Sequence, residues 1–226
     1  MSIYRLCESH ICRPQSALNA AAYRSGECLE YAGKIFDYTW RNDVICAEIM
    51  LPADAPQEFL DRQTLWSAAE KAEDASTRRK TARTAHEILI SLPGELTFDT
   101  SIIIAKEFIK NCFVSKGMCA DFAVHDGNGK ERDSHDTEMS EIAPHNPHCH
   151  IMLTTRHVSS EGFSKYKARE WESWNNSTLL LQWREEWREI LNRTLERKGF
   201  NRVPEQNRNI NRKPRDDKRG KCRERI

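Results

Sequence analysis

The sequence predicts an α+β fold: a central, mainly antiparallel five-stranded sheet flanked by helices. Three observations carry this. Residues 119–125 and 148–156 alternate apolar and polar residues with the period of two that marks a strand. The charged, glycine-containing residues 126–145 between them have no apolar period and read as an insertion in a hairpin connection. The helical segments are grouped between strand-like runs that end on proline or glycine.

Each element follows in order. Residues 2–8 read as a short strand. Ser16 can cap a helix through the alanines to Ser25, with Gly26 as its stop. Residues 27–43, with Tyr31, Asp37, Tyr38 and Trp40, read as loop. Val44 to Leu51 is a strand closed by Pro52. Pro56 to about Ala75 is helical, with Leu60, Leu65, Trp66 and Ala69 on one face. The polar and basic residues 76–83 lead into a strand over 85–92, ended by Pro93-Gly94. Thr97 or Asp99 starts a helix that runs to about Lys116 before Gly117. After the strand pair come a linker over 157–167, a short helix from Ala168 to about Trp174, and a long helix over 177–198 stopped by Gly199. Residues 1–200 are expected to form one domain. Residues 201–226, basic and nearly without apolar residues, read as a disordered tail.

Composition bounds the class. A chain of 226 residues, 38% hydrophobic and 31% charged, is an ordinary globular composition, and a net charge of +1 selects no partner. The eight cysteines include no Cys-x-x-Cys pair and several lie in apolar runs, as reduced packing residues do. No apolar run reaches membrane-spanning length and the N-terminus has no signal-peptide core, so a reducing cytoplasm is expected.

The chemistry concentrates in Asn146-Pro147-His148-Cys149-His150. Residues two apart on a strand share a face, so His148 and His150 point together while Cys149 points to the other layer. If residues 119–125 form the adjacent strand, His125 joins them. Three imidazoles then face one point and leave coordination positions open, as a catalytic metal ion requires.

These residues belong to an ordered set. Ala20-Ala21-Ala22-Tyr23-Arg24-Ser25-Gly26 comes first, then Phe36-Asp37-Tyr38, the strand ending Glu48-Ile49-Met50-Leu51-Pro52, and His86-Glu87 leading to Ile90-Ser91-Leu92-Pro93. Ala123-Val124-His125 and Asn146-Pro147-His148-Cys149-His150 complete it. The set resembles the MobA/MobL family of plasmid mobilisation relaxases, within the HUH endonuclease superfamily. The resemblance implies strand-specific nicking of single-stranded DNA at a transfer origin, by a tyrosine that becomes joined to the 5′ phosphate and leaves a 3′ hydroxyl. It implies that Tyr23 is that tyrosine, that His125, His148 and His150 hold a divalent ion such as Mg2+ or Mn2+, and that Glu87 stands beside the site. Two features depart from the family pattern: the spacer after His125 is long, and Leu89 stands where a second acidic residue is common. Arg24, Lys165 and Lys167 are expected to meet DNA. Relaxosome accessory and coupling proteins are the implied partners.

The chemistry fits independently. A phenol ordinarily loses its proton only near pH 10, so it needs a nearby cation or base to attack phosphorus. A phenolate also leaves readily, which keeps strand transfer reversible. Two other readings use the same residues: a metal-dependent hydrolase in which the histidines activate water, and a DNA-binding protein whose histidines hold a structural zinc. A rolling-circle replication initiator is a relative of the first reading, but a tyrosine upstream of the histidines suits the mobilisation type. His135 and His145 read as surface residues, and His10, His86 and His157 as structural or exposed.

Overall fold

The computed structural model describes residues 5–74, 79–127, 146–171 and 178–204. In chain order the elements are β1 (Leu6–Cys12), α1 (Ala17–Ser25), β2 (Cys28–Tyr31), β3 (Lys34–Asp37), β4 (Val44–Met50), α2 (Arg62–Asp74), β5 (Arg83–Ser91), α3 (Phe98–Cys112), β6 (Ala120–His125), β7 (His148–Thr154), β8 (Val158–Ser159), β9 (Gly162–Phe163) and α4 (Leu179–Arg197). Single 3-10 turns precede α2 and β5, follow α3, and span Arg169–Trp171.

The central sheet has five strands in the order β1-β5-β7-β6-β4, and every adjacent pair is antiparallel. Alternation on β6 and β7 divides the molecule into two layers. Ala120, Phe122 and Val124 with Cys149, Ile151 and Leu153 face α3 and α4, where Phe108, Phe113, Trp183 and Trp187 fill the core. Met152 and the residues in step with it face α1 and α2, against Ala17, Leu18, Ala21, Ala22, Leu65 and Trp66. The buried alanines of α1 have little side chain to hold the helix off the sheet, and this closeness positions the site.

The local chemistry explains the ends of α1. Ser16 Oγ accepts from the Leu18 amide, and Gly26 closes the helix at φ 71°, its amide donating to the Ala22 carbonyl. A side chain at Gly26 would also press on Val44 of β4, 3.3 Å from a Cβ at that position. Thr97 caps α3 as expected. The connection between β6 and β7 leaves their register undisturbed: His125 stands opposite His148 and Ala123 opposite His150. At its neck, Gly127 at φ 78° lies so close to the Asn146 backbone that any Cβ would clash at 2.5 Å.

Several expectations change. β1 begins and ends later than residues 2–8. The predicted loop over 27–43 contains the β2–β3 hairpin, which alternation does not announce because its residues are mostly exposed. The helix expected from Pro56 starts at Arg62. The packed chain also runs past residue 200, since the Val203 amide donates to Asn192 Oδ1 at 2.7 Å and its side chain is buried. Residues 205–226, Trp174, His135 and His145 lie outside the described residues. The seven cysteines within the described residues are all free thiols. Burial pushes the Cys119 thiol up to about 12, so it packs as an inert core group. No described helix is long and apolar enough to cross a membrane.

Candidate active site

β6 and β7 bring His125, His148 and His150 together on the sheet face that carries α1. Their ring centroids lie 5.0–5.2 Å apart, and one nitrogen from each can be chosen so that all three lie within 4.8 Å of one another. All three are buried.

The other nitrogen of each ring meets a group that can only accept. His150 Nδ1 donates to Glu87 Oε1 (2.9 Å), His148 Nδ1 to the Asn146 carbonyl (2.8 Å), and His125 Nε2 to the Arg24 carbonyl (2.7 Å). A carbonyl or an ionised carboxylate has no proton to give, so each of these nitrogens carries one. The lone pairs of the neutral rings then sit on His125 Nδ1, His148 Nε2 and His150 Nε2. This is how metal-binding histidines are usually oriented, with an outer acceptor setting tautomer and ring angle. The donor set therefore fits a divalent ion.

Glu87 is a hub on β5. It also accepts from Ser9 Oγ at 3.1 Å and is ion-paired with Arg24 Nε. Burial raises the tendency of its carboxyl to hold a proton, but Arg24 and His150 outweigh that and keep it far below the ordinary carboxylate range. Arg24 is thus turned inward, and its Nη1 also donates to the Ala20 carbonyl (3.1 Å).

Tyr23 is half-buried on α1, one residue before the carbonyl that holds His125. Its ring packs edge-on against Tyr38 at 5.1 Å, and Tyr38 leads on to the exposed Trp40. The Arg41 guanidinium lies 4.2 Å from the Tyr23 ring centroid and donates to the Tyr23 carbonyl (3.2 Å). Arg41 also reaches His125 Nδ1 at 3.4 Å and is held by both oxygens of Asp43 at 2.9 and 2.5 Å. Burial would raise the Asp43 carboxyl, but the Arg41 guanidinium outweighs it and brings it below its ordinary value.

Sequence reasoning missed Arg41 and Asp43. They precede a strand in a segment read as loop, and only the folded hairpin sets them between α1 and the histidines. The two expected lysines are not part of this cluster. Lys167 turns to Glu73 (3.2 Å) and the Arg83 carbonyl, because Glu73 is buried and needs cations around it. Lys165 is exposed, its ammonium 5.5 Å from the Tyr166 ring.

A family model described as "MobA/MobL family" matches residues 15–218. The probable conjugal transfer protein TraA of Sinorhizobium fredii is 30% identical over 162 residues, which cover 68% of this chain and 13% of that protein. The mobilization protein MobL of Acidithiobacillus ferridurans is 32% identical over 218 residues, 88% of this chain and 56% of that protein. The chain therefore spans a small part of the TraA relatives and about half of MobL. A solved structure described as "Molecular Basis of Vancomycin Resistance Transfer in Staphylococcus aureus" superposes with a TM-score of 0.74 at 26% identity, covering 91% of this chain and 100% of that one.

Proposed function

This chain belongs to the MobA/MobL family, and we propose that residues 1–200 are a relaxase domain that nicks one DNA strand at a transfer origin and rejoins it. One observation carries the reading: Arg41 touches both the Tyr23 ring and His125, so one guanidinium links the tyrosine of α1 to the imidazole cluster.

Tyr23 Oη attacks phosphorus in line. Tyr23 gives its phenolic proton to water as the Tyr23–phosphate bond forms, the bond from phosphorus to the 3′ oxygen breaks, and that oxygen takes a proton from water and leaves as a 3′ hydroxyl. The reverse attack by a 3′ hydroxyl rejoins the strand. A divalent ion bound by His125, His148 and His150 would supply charge to offset the non-bridging oxygens of the phosphate. Three imidazoles suit Mn2+ better than Mg2+, which takes oxygen ligands. Glu87 is a positioning residue: it sets the tautomer and angle of His150, and Arg24 keeps it ionised. Arg41 positions the Tyr23 ring. Lys165, exposed, is left to meet the DNA backbone, and the basic residues 201–226 are a second arm for it. The DNA is single-stranded, relaxosome accessory and coupling proteins are the expected partners, and the setting is cytoplasmic.

The test is incubation with labelled single-stranded oligonucleotides tiling the non-coding DNA beside this gene, with and without Mn2+, followed by a denaturing gel. The expected result is a metal-dependent covalent adduct that Tyr23→Phe abolishes. Cleavage without an adduct, surviving Tyr23→Phe, would instead support the water-activating hydrolase.

A further inference from the structure

The opposite face of the sheet carries a second group of ligand side chains. Glu8 and His10 are two apart on β1, and His86 stands directly across from His10 on β5. Even-numbered neighbours on both strands, Leu6, Ile88 and Ile90, belong to the core under α3 and α4. By the period of two, this group faces that layer, away from His148 and His150. The arrangement repeats that of the first cluster: two ligands at i and i+2 on one strand and a third directly opposite on its antiparallel neighbour.

We propose that Glu8, His10 and His86 form a second metal site, for a transition ion of the zinc class. One ligand atom from each lies within 4.8 Å of the other two. Glu8 Oε1 is 3.5 Å from His10 Nε2 and 3.9 Å from His86 Nδ1. Hydrogen bonds fall at about 2.7–3.2 Å, so these are long. Two ligands at about 2.1 Å from a tetrahedral zinc are about 3.4 Å apart, so a small contraction accommodates the ion. His86 is 97% buried in relative terms (3% exposed), and its Nδ1 makes no hydrogen bond although it is aimed at the carboxylate. Leaving such a nitrogen buried without a partner costs free energy, and an ion between the three groups removes that cost. Two imidazoles and a carboxylate are a zinc donor set that leaves a fourth position open. The charges of Arg83 and Lys167 lie near His10. Those two cations oppose a bound ion, and the Glu8 carboxylate offsets them.

Such an ion would fasten edge strand β1 to β5. β1 leads through Arg13 into α1, so the clamp would fix the entry to the helix that carries Tyr23. The proposal does not depend on the nicking reaction.

The test uses the full chain stripped of metal, then dialysed against Co2+ alone, with bound cobalt counted by elemental analysis. Four forms are compared: wild type, Glu8→Gln, His148→Ala/His150→Ala, and the last with Glu8→Gln added. Within each pair, Glu8→Gln is expected to remove one Co2+ per chain. Zn2+ should raise the unfolding temperature of His148→Ala/His150→Ala by about 5 °C at a hundredfold excess over its Kd, and not that of the form with Glu8→Gln added. Equal cobalt content within both pairs would overturn the proposal. If His148→Ala/His150→Ala does not fold, the wild-type pair decides alone.

Discussion

The two helical layers are fastened to the same sheet by different forces. Under α3 and α4 the contact is aromatic and aliphatic: Phe108 against Trp187 at 5.5 Å, Phe113 against Trp183 at 5.2 Å. Under α1 and α2 an apolar cluster that includes Leu18, Leu65 and Trp66 is supplemented by buried charge. Arg62 forks onto Asp121 at 2.8–3.0 Å, Trp66 Nε1 donates to the same carboxylate at 2.8 Å, and Arg13, in the turn between β1 and α1, pairs with Glu70 and Asp74 of α2. Apolar burial is non-directional and holds a layer on; buried ion pairs add little net stability, yet they fix atoms in direction as well as distance. The layer that would aim the Tyr23 phenol, on the proposed function, adds the second kind. The layer that holds the sheet uses the first, apart from Glu8, His10 and His86 at its edge.

This contrast can be broken by substitution. The largest effect is expected from Tyr23→Phe, which removes one oxygen: nicking should fall by about 10^4-fold or more with the unfolding temperature unchanged. A nicking assay beside a thermal melt checks both halves. On the other face Trp187→Ala should do the reverse. Trp187 is fully buried, and its truncation should cost about 3–5 kcal/mol by denaturant titration, while the nicking rate per folded molecule stays near wild type. A comparable loss of rate would show that the two layers are not separable.

Glu87→Gln sharpens the claim that polar contacts aim the site. The amide can still bond His150, but it can offer its nitrogen instead of an acceptor, so the ring loses its fixed tautomer. Metal affinity should fall about 10–100-fold, read as a shift of the Mn2+ activation curve, with most activity recovered at saturating metal. A lower plateau with no shift would place Glu87 in proton transfer instead. The smallest effect is expected at the start of the helix that carries Tyr23: Ser16→Ala should cost about 1 kcal/mol, with nicking by the folded protein nearly unchanged.

Much of this was readable in the sequence where local signals and tertiary contacts agree. Alternation on β6 and β7 placed His125, His148 and His150 on one face and Cys149 on the other, and Ser16 and Gly26 marked α1 to the residue. Other features depend on pairings between distant segments. Arg41 and Asp43 lie in a stretch with no period, and their partners Tyr23 and His125 are supplied by a helix and a strand far along the chain. His10 and His86 read as unremarkable singly, because only the β1–β5 register sets them opposite each other. Arg24 and Lys167 look like phosphate ligands in sequence, where the buried carboxylates Glu87 and Glu73 that claim them are not adjacent.

The claim that the polar layer aims Tyr23, rather than a neighbouring tyrosine, is tested most directly by mapping the adduct. The covalent protein–DNA species formed with Mn2+ is digested with trypsin and the DNA-bearing peptide is sequenced by mass spectrometry. The expected attachment is through a phosphate on Tyr23, in the peptide Leu6–Arg24, since trypsin does not cut the Arg13–Pro14 bond. Attachment at Tyr31 or Tyr38, or cleaved DNA with no attached peptide, would contradict it.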